Sequence, residues 1–253
     1  MCTTSVAQNI DSLISVMKKQ HGLEKAKSLI ELSKTYQNID FEQSNYYAFQ
    51  AIKIAEIYQD NRFIAEGMIT LAVGYYSMGK LEESIQYNEK ALELTKDNPD
   101  TLQLSTIYNT LGLIYIERGE YEKALDNLNK SLAYNFALEL NKDIALSYGN
   151  IGLAYEYMGN IDTALYFYKK SLEMDEKAGN IDGMAYSYNN LGIVSEFQGD
   201  YESAIDYYNL ALEYFEKVNN KTGMASVYNN LGIIYSNRGL FKKSIDHYQN
   251  SYK

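Results

Sequence analysis

Apolar residues recur at three- and four-residue spacing through most of the chain, as in Tyr188, Leu191 and Val194 or in Ile193 and Phe197. That spacing lays them along one face of a helix. Glycine interrupts the helical stretches at one constant interval, at Gly79, Gly119, Gly159, Gly199 and Gly239. Such a glycine takes the left-handed conformation that ends a helix at little cost. Asp200, directly after Gly199, stands where an N-cap opens the next helix. A second break, Lys177-Ala178-Gly179-Asn180, closes each unit. The pattern predicts one antiparallel helical hairpin per glycine-to-glycine period.

Other positions keep the same register. Leu111-Gly112, Ile151-Gly152, Leu191-Gly192 and Leu231-Gly232 repeat at the same interval, with Leu71-Ala72 one step earlier. Four residues on come Tyr75, Tyr115, Tyr155, Ser195 and Tyr235. Met68, Tyr108, Tyr148, Tyr188 and Tyr228 precede the Leu or Ile by three. Ser84, Ala124, Ala164, Ala204 and Ser244 supply a small residue after each turn. Gly192 and Ala204 are small because two helices must approach closely; Tyr188 and Tyr201 fill the space on either side. The tyrosines at 108, 148, 188 and 228 are read as packing residues rather than as a stacking platform.

These residues resemble the tetratricopeptide repeat, whose signature runs Trp-x2-Leu-Gly-x2-Tyr, then Ala, an aromatic and Pro. Here Tyr stands for Trp, the final Pro is missing, and the period is 40 instead of 34. Six extra residues add roughly 1.7 helical turns. This longer form is similar to the repeats of kinesin light chains, G-protein-signalling modulators, Rap-type peptide receptors and bacterial sensor-kinase modules. The resemblance implies an all-α fold: a right-handed α-solenoid of about six hairpins with an extra N-terminal helix.

The expected repeats are 22–58, 61–98, 101–138, 141–178, 181–218 and 221–253, within a solenoid of 21–253. The first is degenerate and lacks its turn glycine; the last stops mid-helix and leaves an apolar edge open to self-association. Residues 9–20, with Ile10, Leu13, Ile14 and Met17 apolar, read as a capping helix. Residues 1–8 show no helical pattern. They read either as a signal-peptide remnant, which would make the protein extracytoplasmic (periplasmic), or as a disordered end of a cytoplasmic one.

Composition narrows the function. The formal net charge is −10 and no basic stripe appears, which argues against nucleic acid. No apolar run is long enough to insert in a membrane. Cys2 is the single cysteine, so an internal disulfide is excluded. His21 and His247, the two histidines, have no nucleophile or metal-ligand pattern nearby. No enzyme activity and no cofactor or metal are expected.

The expected function is a scaffold that binds a protein or a peptide, as the sensing or docking part of a longer signalling protein. The alternative is a regulatory domain of an enzyme, such as a histidine kinase or cyclase, with its catalytic part beyond Lys253. The resemblance places the binding groove on the first helix of each hairpin. Asparagine recurs there, at Asn109, Asn189 and Asn229 and at Asn150, Asn190 and Asn230, with Gly149 interrupting the first row. Asparagine is a poor helix-interior residue, and its amide both donates and accepts, which suits a peptide backbone. The competing reading is that these side chains tie neighbouring repeats together, and it is favoured for Asn150, Asn190 and Asn230. Leu113, Leu153, Ile193 and Ile233 follow the glycine, which argues against a carboxylate clamp. Glu156, Tyr157, Glu196 and Phe197 extend the groove with a mixed acidic and apolar wall, suited to a partner carrying positive charge.

Overall fold

The computed structural model describes the backbone of residues 2–37 and 39–251, and side chains from residue 9 onward within them. The elements are α1 (Cys2–Met17), α2 (Gly22–Tyr36), α3 (Phe41–Ile57), α4 (Asn61–Ser77), α5 (Leu81–Thr95), α6 (Thr101–Glu117) and α7 (Tyr121–Ala137). They continue as α8 (Asn141–Tyr157), α9 (Ile161–Ala178), α10 (Ile181–Phe197), α11 (Tyr201–Val218), α12 (Lys221–Asn237) and α13 (Phe241–Ser251). Among the described residues there is no strand. The first helix starts at Cys2 and ends at Met17, where the apolar pattern predicts 9–20. The side chains of residues 1–8 lie outside the described residues, and so does the signal-remnant reading that rests on them.

The chain forms two compact units, Met1–Tyr134 and Asn135–Lys253. In each, sequential helices pack pairwise and equivalent helices of successive hairpins touch, as α2 and α4 do in the first unit and α8, α10 and α12 in the second. This is the stacking of a repeat array, in which each unit buries its apolar stripe against its neighbours.

The repeat signature is built as its chemistry requires. All five turn glycines have φ between 71° and 77°. Asp200 caps α11, its side chain accepting from Ser203 N at 3.1 Å. The glycine after the Leu or Ile leaves room for a large side chain of the second helix. A Cβ at Gly192 would come within 2.5 Å of the Tyr208 ring, and one at Gly152 within 2.7 Å of the Tyr168 ring. Tyr208 and Tyr168 are buried in consequence. Where serine replaces alanine at the small position, its hydroxyl finds a backbone carbonyl on the facing helix: Ser84 Oγ donates to Ala72 O and Ser244 Oγ to Gly232 O. Buried hydroxyls are tolerated on that condition.

The tyrosine ladder packs against the second helices of its own hairpins, and Tyr148 also meets Phe136 of the preceding hairpin. Tyr108 stacks on Tyr134 at 5.9 Å, and Tyr188 on Tyr214 at 5.5 Å. Tyr148 contacts Phe167 and Tyr228 contacts His247. Aromatic pairs of this kind contribute about 0.5–1.5 kcal/mol beyond the area they bury.

Candidate functional site

In the second unit each second helix presents one residue to the next hairpin, and its chemistry changes from repeat to repeat. At that position stand Asn135, Asp175 and Phe215, all buried. The facing residues are Ser147, Ser187 and Val227. Asn135 Nδ2 donates to Ser147 Oγ at 3.0 Å, and Ser187 Oγ donates to Asp175 Oδ2 at 3.0 Å. Phe215 packs in one apolar cluster with Val227. Polar faces polar and apolar faces apolar, so no buried group at these junctions lacks a match.

Asp175 is the one carboxylate in this series. It is 3% exposed and also accepts from Asn180 Nδ2 at 2.7 Å. Burial raises its carboxyl above the usual range; the bonds from Asn180 and Ser187 pull the other way, Asp182 adds to the rise, and Lys142 opposes it. Gly183 makes the space: a Cβ there would collide with the Asp175 carboxylate and the Asn180 amide. A recess of about 280 Å³ opens above this group, between α8 and α10. Asn150, Asn190, Leu146, Leu153 and Tyr186 line it, with Asp175 and Ser171 deeper in and Lys142 at the side. Gly149 widens the α8 wall, since a Cβ would reach within 3.4 Å of Ser171 Oγ.

The asparagines of the sequence pattern therefore occupy different settings. Asn150 and Asn190 are half-buried and line the recess. Asn189 is 9% exposed and accepts from Asn230 Nδ2 at 3.1 Å, a bond that joins α10 to α12. Asn229 is exposed on α12, and Asn109 is half-buried on α6 in the first unit. Glu156 and Glu196 turn inward to the buried tyrosines of the second helices, Tyr168 and Tyr208. Tyr168 Oη donates to Glu156 Oε2 at 2.7 Å, and Tyr208 Oη to Glu196 Oε2 at 3.3 Å. Burial raises both carboxyls, more than these hydrogen bonds lower them. Each tyrosine is pushed up in turn, by burial first and then by the adjacent carboxylate. Tyr157 and Phe197, the neighbours of those acids, are 62% and 66% exposed. Sequence reasoning missed Asp175, Gly183 and Tyr186. The available signal was that the Asp175 position varies in type from repeat to repeat, as Thr95, Asn135, Asp175 and Phe215.

His21 precedes α2 without capping it through its side chain, and His247 stacks on Tyr235 at 5.0 Å. No group of three or more His, Cys, Asp or Glu able to hold a metal ion occurs among the described residues. None of the described helices is long and apolar enough to cross a membrane.

Stacked helical hairpins carrying a recess on their first helices define a repeat scaffold. The tetratricopeptide repeat profiles match residues 63–135 and 183–253, and residues 145–177, and the chain belongs to the tetratricopeptide repeat family. No curated protein matches it. Among solved structures it is similar to the Rap conjugation gene regulator of plasmid pLS20 in complex with the Phr* peptide. The TM-score there is 0.79 at 17% identity, covering 99% of this chain and 69% of that one. It is also similar to the apo form of RapI, with TM-score 0.75, 18% identity and coverage of 96% and 90%. BtubC from P. vanneervenii follows with TM-score 0.66, 19% identity and coverage of 85% and 90%. At these identities the likeness establishes the fold, an α-solenoid of tetratricopeptide hairpins.

Proposed function

We propose that this protein is a peptide-binding repeat domain whose second unit receives an extended segment of a partner across α8 and α10. The observation that carries the reading is the recess above Asp175, where two asparagine amides flank an apolar wall of Leu146, Leu153 and Tyr186. Amides that donate and accept suit a main chain, and the apolar wall suits one anchoring side chain. The solved Rap regulator of pLS20 holds a peptide, which is consistent with such use of this fold. Exposed Tyr157 and Phe197, at the ends of α8 and α10, offer further apolar contact.

The test is selection of peptides from a random display library on the immobilised protein. Enriched peptides should bind the purified chain saturably, and Asn150→Ala with Asn190→Ala should weaken them tenfold or more while leaving the thermal transition in place. An empty selection, or peptides indifferent to both substitutions, would count against the reading.

A further inference from the structure

The turn between α12 and α13 departs from the other hairpins in its chemistry. Every residue from 237 to 243 is exposed. Its apex is Leu240, 42% exposed, followed by Phe241 at 66%. The earlier hairpins carry Lys80, Glu120, Asn160 and Asp200 at the position of Leu240. They carry Glu82, Glu122, Asp162 and Glu202 at the position of Lys242. Those four acids are exposed, as are Lys80, Asn160 and Asp200, although another hairpin follows each. Leu240 and Lys242 therefore face outward by their place in the repeat.

The turn between α6 and α7 shows what has changed. Arg118 and Lys123 hold the positions of Arg238 and Lys243. Arg118 reaches Glu82 at 3.3 Å and Glu120 at 3.6 Å, and Lys123 pairs with Glu120 as well. Leu240 stands in place of that shared acid, and Lys242 in place of Glu122. Among the described residues Arg238, Lys242 and Lys243 form no ion pair. The positive end of a helix dipole favours acids in the first turn, and α5, α7, α9 and α11 have them there. The first turn of α13 has none and carries Lys242 and Lys243 instead. Cations at a helix N-terminus and large apolar side chains in water both work against the isolated fold, so stability gives no reason for either.

We propose that this turn rests on an anionic lipid surface. Arg238, Lys242 and Lys243 meet the headgroup charges, while Leu240 and Phe241 reach the boundary of the acyl layer. An acidic protein segment answers the charge too, but a turn exposed along its whole length offers a peptide no groove, whereas a soft plane needs none. The contact lies on the surface and is not a crossing, since none of the described helices can span a membrane. The formal net charge of −10 opposes any general attraction. Screening beyond about 8 Å at physiological salt leaves the local cations to act. The turn shares no residue with the recess on α8 and α10, so the proposal does not rest on peptide binding.

Co-sedimentation with phosphatidylcholine vesicles, with and without one-third phosphatidylserine, tests this at about 0.15 M salt. The chain should sediment with the anionic vesicles at millimolar lipid and stay in solution with the neutral ones. Leu240→Glu with Lys242→Glu restores the acids that the α6–α7 turn carries, so the repeat tolerates the change. That double variant should lose at least tenfold in binding and keep its melting temperature. Lys242→Gln alone should lose about fivefold, the share of one cation near such a surface. Leu240→Gln keeps all three cations and should still weaken binding severalfold. No sedimentation with the anionic vesicles, equal sedimentation with both kinds, or binding unchanged in the double variant overturns the proposal. A chain that binds soluble poly-L-glutamate and ignores the vesicles docks on acidic protein instead, which overturns it too.

Discussion

Asn230 Nδ2 donates to Asn189 Oδ1 at 3.1 Å, so two asparagines from successive repeats hold one another. A neutral, largely buried hydrogen bond contributes about 1 kcal/mol net. Asn189→Ala should cost about that much or somewhat more, because it strands part of the Asn230 amide. The double substitution should cost clearly less than the sum of the two single ones, with a coupling of about 0.5–1 kcal/mol. Urea unfolding midpoints of the four proteins give the cycle. Strict additivity would mean that the pair does not join α10 to α12.

Gly192 presents two opposed effects. Glycine inside a helix is less favourable than alanine by about 1 kcal/mol, which alone makes Gly192→Ala stabilising. The new Cβ, however, lands within 2.5 Å of the Tyr208 ring, which is fully buried. Overpacking of this kind costs about 1–3 kcal/mol, so the clash outweighs the propensity. The melting temperature should fall for Gly192→Ala and hold or rise for Gly149→Ala, which meets only the Ser171 hydroxyl at 3.4 Å.

The acids beneath the tyrosines make stability depend on pH. Burial holds the Glu156 carboxyl above its usual range in the folded chain. Between its unfolded and folded values the native state therefore binds more protons than the unfolded one. Stability is lost as pH rises from the ordinary carboxylate range, roughly 4.3, through the folded value. Glu156→Gln keeps an acceptor for Tyr168 and removes the charge. The advantage of Glu156→Gln in melting temperature should grow between about pH 4 and pH 7. An advantage that stays flat with pH would show that the buried carboxylate ionises without penalty.

Much of the fold is readable from residues that repeat, because a residue that packs the same way in every hairpin must be the same type in every hairpin. Gly152 and Gly192, with Tyr168 and Tyr208, do one job in successive repeats. The recess is a different matter. Asp175 occupies the position of Thr95, Asn135 and Phe215, so no period marks it. Its meaning depends on Gly183 and Ser187 across the junction, which only the packing brings together. The asparagine rows are legible as a row but not by side chain, since adjacent residues on a helix point about 100° apart. That difference sends Asn189 toward Asn230 and Asn190 to the recess.

Gly183 offers a way to block the recess from within. An alanine Cβ there cannot share space with the Asp175 carboxylate and the Asn180 amide, so the floor of the recess must rearrange. Gly183→Ala should weaken a selected peptide at least as much as the asparagine substitutions do.

Amide hydrogen exchange with and without a saturating selected peptide tests most directly whether a peptide lies across α8 and α10. Protection should concentrate on residues 146–153 and 183–190, and should vanish in the protein carrying Asn150→Ala and Asn190→Ala. Protection confined to other helices, with those two segments unchanged, would contradict the account.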